Sequence, residues 1–274
     1  MVHAEQGRFN SFSPAVIMKL KTAFLASALS LSGAVFAQAK APEPDYTLGF
    51  NIGGVSDYRY RGIAQTAGNP ALQGGVDFSH KSGLYLGAWA SNVKWVKDFN
   101  LATKGSYEVD LYGGFKGSIV EDLGFDVGLI AYQYPGNNSG AAGTPGAGLF
   151  SKADTLEYYG ALTYKVATLK YSRSSGDFLG NLNSSGSSYI DLSAAFDLGN
   201  GFTLTPHVGR QKVANLPAAN YTDYALTLAK DFGNGLVLTV AATGTNATSG
   251  GFYTDVNGKF LGKSALVLGL KYSF

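Results

Sequence analysis

The sequence predicts an all-β chain, a closed antiparallel transmembrane β-barrel of about 12 strands preceded by a helical signal peptide. Three observations predict it: a strictly alternating last strand, a mature region with no long apolar run, and connections that alternate between short and long.

In the stretch from Ala265 to Phe274, Leu266, Leu268, Leu270, Tyr272 and Phe274 share one face, because side chains alternate across the pleat. Such an apolar edge would invite pairing with other chains in water, whereas a closed barrel must end on a strand that pairs with the first. The chain has 274 residues with 37 Gly, 17 Tyr, 17 Phe, no Cys and 15% charged residues. Its mature region nowhere approaches the roughly 18 consecutive apolar residues of a membrane helix, so any lipid-facing surface has to be hidden in alternation.

The amino terminus reads as an export signal. Met18-Lys19-Leu20-Lys21 is a basic start, Thr22 to Leu31 an apolar core, and Val35-Phe36-Ala37 a small-residue cleavage site, with cleavage expected after Ala37. Residues 1–37 are thus an extension and signal, Met18 is a candidate true start, and 38–274 form a single barrel domain. Cleavage removes Arg8, Lys19, Lys21 and Glu5, so the net charge of +2 belongs to the signal and the mature chain is balanced. No cationic excess remains for nucleic acid. With no Cys and few His, neither metal nor other cofactor is expected.

The strands are predicted at Tyr46–Val55, Pro70–Ser79, Leu84–Val93, Tyr107–Lys116, Phe125–Tyr134 and Thr155–Tyr164, then Thr168–Ser174, Tyr189–Asp197, Phe202–Gln211, Tyr221–Lys230, Leu236–Thr243 and Ala265–Phe274. Short connections lie at His80–Gly83, Lys165–Ala167, Gly199–Gly201 and Asp231–Gly235, the last two containing Asn-Gly, which suits a tight hairpin. The long ones are Asp57–Asn69, Lys94–Ser106, Pro135–Asp154, Ser175–Ser188, Val213–Asn220 and Gly244–Lys263. Short periplasmic turns and long outer loops are the asymmetry of an outer-membrane barrel, and they put both termini in the periplasm. A soluble β-sandwich would need no such alternation.

Parity assigns the faces. Tyr107, Val109 and Leu111 should meet lipid, which leaves Glu108, Asp110 and Tyr112 inside. The same rule turns Asp77, Asp126, Glu157, Lys165, Lys170, Asp191, His207 and Lys271 toward the lumen, since a charge facing lipid is unfavourable. Acids outnumber bases among these, which favours cations wherever the charges are not paired across strands. Trp89, Trp95, Tyr134, Tyr164 and Tyr272 are expected in interfacial girdles.

The block Ser56-Asp57-Tyr58-Arg59-Tyr60-Arg61-Gly62-Ile63-Ala64-Gln65-Thr66, followed by Pro70-Ala71-Leu72-Gln73-Gly74-Gly75-Val76-Asp77, resembles the opening signature of the TorF family of porins. Gly83 to Val93, Tyr107 to Phe115 and Gly128 to Gly136 continue the match across most of 49–165. The resemblance implies an outer-membrane β-barrel porin of a Gram-negative bacterium and names no substrate. The ending also looks like the signal read by the barrel-assembly machinery, carried by Tyr272 and Phe274, because an alternating aromatic strand can be captured as an open edge. Asp57, Arg59 and Arg61 fall near the rim after the first strand. They read either as a pore-mouth lining for anionic solutes or lipopolysaccharide phosphates, or as a network pinning the first loop, the second being favoured.

Passive diffusion of small hydrophilic solutes or ions through a narrow polar lumen is the leading function, since about twelve strands lie between a filled barrel and a wide channel. An adhesin or structural role in the Gly- and Ser-rich loops, read as mobile, is one alternative. An outer-membrane hydrolase is another; its base would be His207, for His80 falls in a turn. The lipid bilayer and lipopolysaccharide are the expected surroundings.

Overall fold

The computed structural model describes residues 44–274; the expected signal, its cleavage site after Ala37 and the candidate start Met18 lie outside them. The described chain forms a closed barrel of 12 antiparallel strands. In order they are β1 (Tyr46–Val55), β2 (Ala71–His80), β3 (Leu84–Asn92), β4 (Tyr107–Val120), β5 (Leu123–Gln133) and β6 (Thr155–Tyr164). There follow β7 (Ala167–Ser174), β8 (Ser188–Ala194, resuming at Phe196–Gly199), β9 (Phe202–Lys212), β10 (Tyr221–Asp231), β11 (Leu236–Thr245) and β12 (Ala265–Ser273). Each strand pairs with its neighbours in sequence, as the tight turns dictate.

The seam is made by β1 and β12, paired from Asn51↔Ser273 to Val55↔Gly269. Phe50 and Phe274 exchange two backbone hydrogen bonds of 2.9 Å, and their rings stack at 5.9 Å. Closure leaves no free edge, which is the condition for a sheet to cross lipid. Alternation does the rest: Leu266, Leu268, Leu270 and Tyr272 are exposed on the outer wall, as are Leu48, Phe50 and Ile52 on β1. The short turns and the start of β1 share one end of the barrel with Phe274, and the long connections gather at the other.

Lys165 departs from its expected lumenal place. It occupies the tight turn between β6 and β7 at φ +52°, where its amide donates to Asp122 O, so strand parity does not apply to it. Trp89, Trp95 and Tyr134 are not girdle residues either. Trp89 lies on the inner face of β3, and Trp95 and Tyr134 are buried against each other, edge to face at 5.1 Å. Tyr164 and Tyr272 are exposed on the outside.

The long connections are packed rather than loose. Trp95–Asp98 forms a short helix, α1, after β3, and Arg59–Tyr60 pairs with Ile63–Ala64 in a small hairpin after β1. Phe99 packs against the rings of Phe150, Phe252 and Tyr253 from two other connections, while Phe178 of a further connection packs with Val213 and Ala219 of the one between β9 and β10. Backbone bonds lace the same segments, from Val256 N to Asp98 O and from Ser151 N to Gly180 O. Since these segments rise from strands all around the circumference, they converge over the mouth as an apolar cap that buries rings otherwise left in water.

Candidate functional site

The inner wall is built by parity and by glycine. On β3, β4 and β6 the inward phenols of Tyr85, Tyr112 and Tyr159 do not stand up into the lumen; they lie against glycines on the neighbouring strand. A Cβ on Gly128 would meet Tyr159 Oη at 2.6 Å, and one on Gly114 would meet Tyr85 Oη at 2.5 Å. Tyr112 covers Gly87 in the same way. Gly128↔Tyr159, Tyr85↔Gly114 and Gly87↔Tyr112 are directly opposed across the ladder, where side chains on one face are closest.

These flat phenols donate to inward carboxylates. Tyr112 Oη donates to Asp77 Oδ1 and Tyr85 Oη to Asp126 Oδ1, each at 2.5 Å, and Tyr85 also bonds Tyr159. Among the described residues neither Asp77 nor Asp126 is in a salt bridge. The nearby ammonium groups rest on rings instead, Lys170 Nζ 3.9 Å from the Tyr159 centroid and Lys116 Nζ 5.3 Å from that of Tyr85. Lys271 follows the inward parity of β12 and is exposed at its end.

Further toward the loop end the first connection folds into the lumen. The left-handed Arg61 (φ +48°) and Gly62 (φ +78°) turn the small hairpin inward. A Cβ on Gly62 would come within 2.8 Å of Asp223 Cβ and 2.7 Å of Thr245 Cγ2, so this turn presses on β10 and β11. Arg61 Nη2 donates to Glu157 Oε2 on β6 at 2.6 Å and Nη1 to Gln211 Oε1 on β9 at 2.8 Å. Its guanidinium lies 4.2 Å from the Tyr189 ring centroid on β8. A side chain that starts beside β1 and bonds β6 and β9 crosses the interior.

Asp57 and Arg59 stay at the base of this segment. Arg59 Nε donates to Asp57 Oδ2 at 2.6 Å, and its Nη1 to the carbonyls of Gly62, Leu261 and Lys263. Asp57 Oδ1 in turn accepts from Thr66 Oγ1 and Gly68 N. All three candidate mouth residues are therefore engaged within the protein, Arg61 deepest. Tyr58 Oη donates to Glu108 Oε1 on β4 at 3.0 Å. Burial first, and then the Glu108 and Asp110 charges, hold the Tyr58 phenol well above its ordinary range, so it remains a donor. Glu108 Oε2 and its neighbour Asp110 Oδ1 accept from no protein donor among the described residues.

On the opposite wall His207 sits between two carboxylates. Nδ1 is 2.8 Å from Asp191 Oδ2 and Nε2 is 2.8 Å from Asp223 Oδ1, with Tyr189 Oη at 3.2 Å. Ser193 lies directly across the ladder, yet neither ring nitrogen is left to take its proton. Both ring nitrogens of this candidate base are thus engaged by carboxylates.

Among the features that sequence reasoning missed, the inward Tyr85 and Tyr159 beside the expected Tyr112, and the cap, matter most. Leu86 and Leu84 outside already imply Tyr85 and Trp89 inside, so parity carried the first. The cap rests on Phe99, Phe150, Phe178 and Phe252, whose irregular spacing carries no periodic signal.

The family model of a bacterial protein of unknown function (Gcw_chp) matches residues 38–274. The chain belongs to this family. In fold it is similar to the KdgM porin solved in complex with disordered oligogalacturonate, at TM-score 0.50 and 6% identity, covering 83% of this chain and 98% of that one. It is likewise similar to the NanC porin, at TM-score 0.50 and 11% identity, covering 83% of this chain and 99% of that one. No curated protein matches in sequence. The family match carries no TorF name, and the barrel is porin-like in architecture.

Proposed function

We propose that the chain is a narrow outer-membrane channel for passive diffusion of small hydrophilic solutes, preferring cations. The observation that carries this reading is the inner wall, where phenols lie flat over glycines and leave inward carboxylates facing the lumen rather than filling it. Asp77 and Asp126 line the β2 to β5 side with no salt bridge among the described residues, Glu108 and Asp110 are buried, and Glu157, Asp191 and Asp223 are matched by Arg61 and His207. A lumen of that charge attracts cations. The first connection and the apolar cap narrow the loop end, so conductance should be small.

In this reading 38–274 is the mature barrel, 1–37 the exported chain's signal, and the loop end faces outward with both termini in the periplasm. Tyr272 and Phe274 offer the assembly machinery the edge that later closes on β1. Planar-bilayer recording of the refolded mature protein tests the channel. Small discrete steps are expected; a silent bilayer at every voltage would overturn it.

A further inference from the structure

We propose that Arg173, Arg210 and Lys212 form a docking site on the outer wall for the phosphate groups of lipopolysaccharide. The register places them together. Ser188 on β8 pairs with Arg173 on β7 and with Lys212 on β9, and Ile190 pairs with Arg210. Ser172, Ser174, Tyr189 and Gln211 on the alternate positions are buried inside, so the three cations face away from the lumen, and all three are exposed.

Their height on the wall is equally defined. Directly beneath them Leu169, Leu192 and Val208 are exposed and belong to the apolar belt. Above them the strands give way to the capped loops. The cations therefore crown the belt at headgroup level, where charge next to lipid is tolerated. The crown is local: at the same end the outward positions Leu72, Tyr107, Leu156 and Leu266 on other strands are apolar or aromatic.

No salt bridge neutralises the three among the described residues. Arg210 Nη1 donates only to Thr222 Oγ1, at 3.2 Å. The Arg173 guanidinium lies against Gly186, where a Cβ would come within 2.9 Å of Nη2. Strand spacing sets Arg173 and Lys212 about 10 Å apart across Ser188. Like charges held that close call for an anion, and a guanidinium matches a phosphate through paired donors. Arg59 and Arg61, the sequence's own candidates for these phosphates, are engaged by partners within the protein, which leaves the outer wall to meet them.

The inference rests on the loop end facing outward, and its test does not depend on conduction. Purified mature protein and the Arg173→Gln, Arg210→Gln, Lys212→Gln triple variant are titrated with diphosphoryl lipid A, with its dephosphorylated form and with phosphatidylglycerol. Wild type is expected to bind diphosphoryl lipid A about tenfold more tightly than the variant, with the dephosphorylated form weak on both. Equal affinity for the variant, or phosphatidylglycerol binding as tightly as lipid A, would overturn the site. Labelling of a cysteine placed in 246–264 on intact cells checks orientation separately; a label excluded from the outside refutes the outward reading and with it this occupant. Bilayer steps unchanged in the triple variant are expected, and they set a failed channel apart from a failed site.

Discussion

Arg61 shows how one residue ties a loop to a barrel. It is buried, paired with a buried Glu157 and sandwiched by aromatic rings, and removing one partner of such a pair costs about 3–5 kcal/mol because the other is left uncompensated. Arg61→Met should detach the first connection, read as faster proteolysis within 56–69 of the folded barrel and noisier current. Arg61→Met combined with Glu157→Leu should restore part of the lost protection, since an apolar pair leaves no bare charge; failure of the double variant to recover would place the tether elsewhere, at Tyr58 and Glu108. The sequence disclosed that Asp57, Arg59 and Arg61 belong together. It did not disclose that Arg61 reaches β6, because a left-handed turn at a non-glycine residue leaves no periodic trace.

At the scale of elements, the strands were legible and the connections were not. Tyr46–Val55 and Thr155–Tyr164 fall where alternation puts them, and even Ala167–Ser174, a short strand, starts one residue from its expected place. Period two survives because lipid and lumen demand opposite chemistry at every step. Connections obey no such rule. Gly- and Ser-rich composition in 135–154 and 244–263 pointed to mobility, while Phe99, Phe150, Phe252 and Tyr253 pack them into a cap. Phe99→Ala with Phe252→Ala removes the ring contacts that join three connections, and single-channel conductance is expected to rise with the barrel still heat-modifiable in gels. An unchanged conductance would mean that the cap does not limit flow.

The whole molecule is a charge-segregated tube. Acids hydrogen-bonded by phenols occupy the β2 to β5 side, and paired charges occupy the other. Under a potassium chloride gradient the reversal potential should carry the sign of cation preference, and Asp77→Asn with Asp126→Asn should move it toward zero. Preferred anion flow would invert the lumenal assignment, even though the channel itself would stand.

The rings lying over Gly87, Gly114 and Gly128 separate two properties that a barrel normally couples. Strand number fixes the circumference, but the free bore depends on whether each phenol reclines or stands. Filling a single glycine, as in Gly87→Ala, whose new Cβ would meet the Tyr112 ring first, would tip that phenol upright and throttle the tube at constant circumference. A twelve-stranded wall of this kind can therefore be re-bored by point substitution while the outer belt, the seam and the fit to the membrane stay as they are.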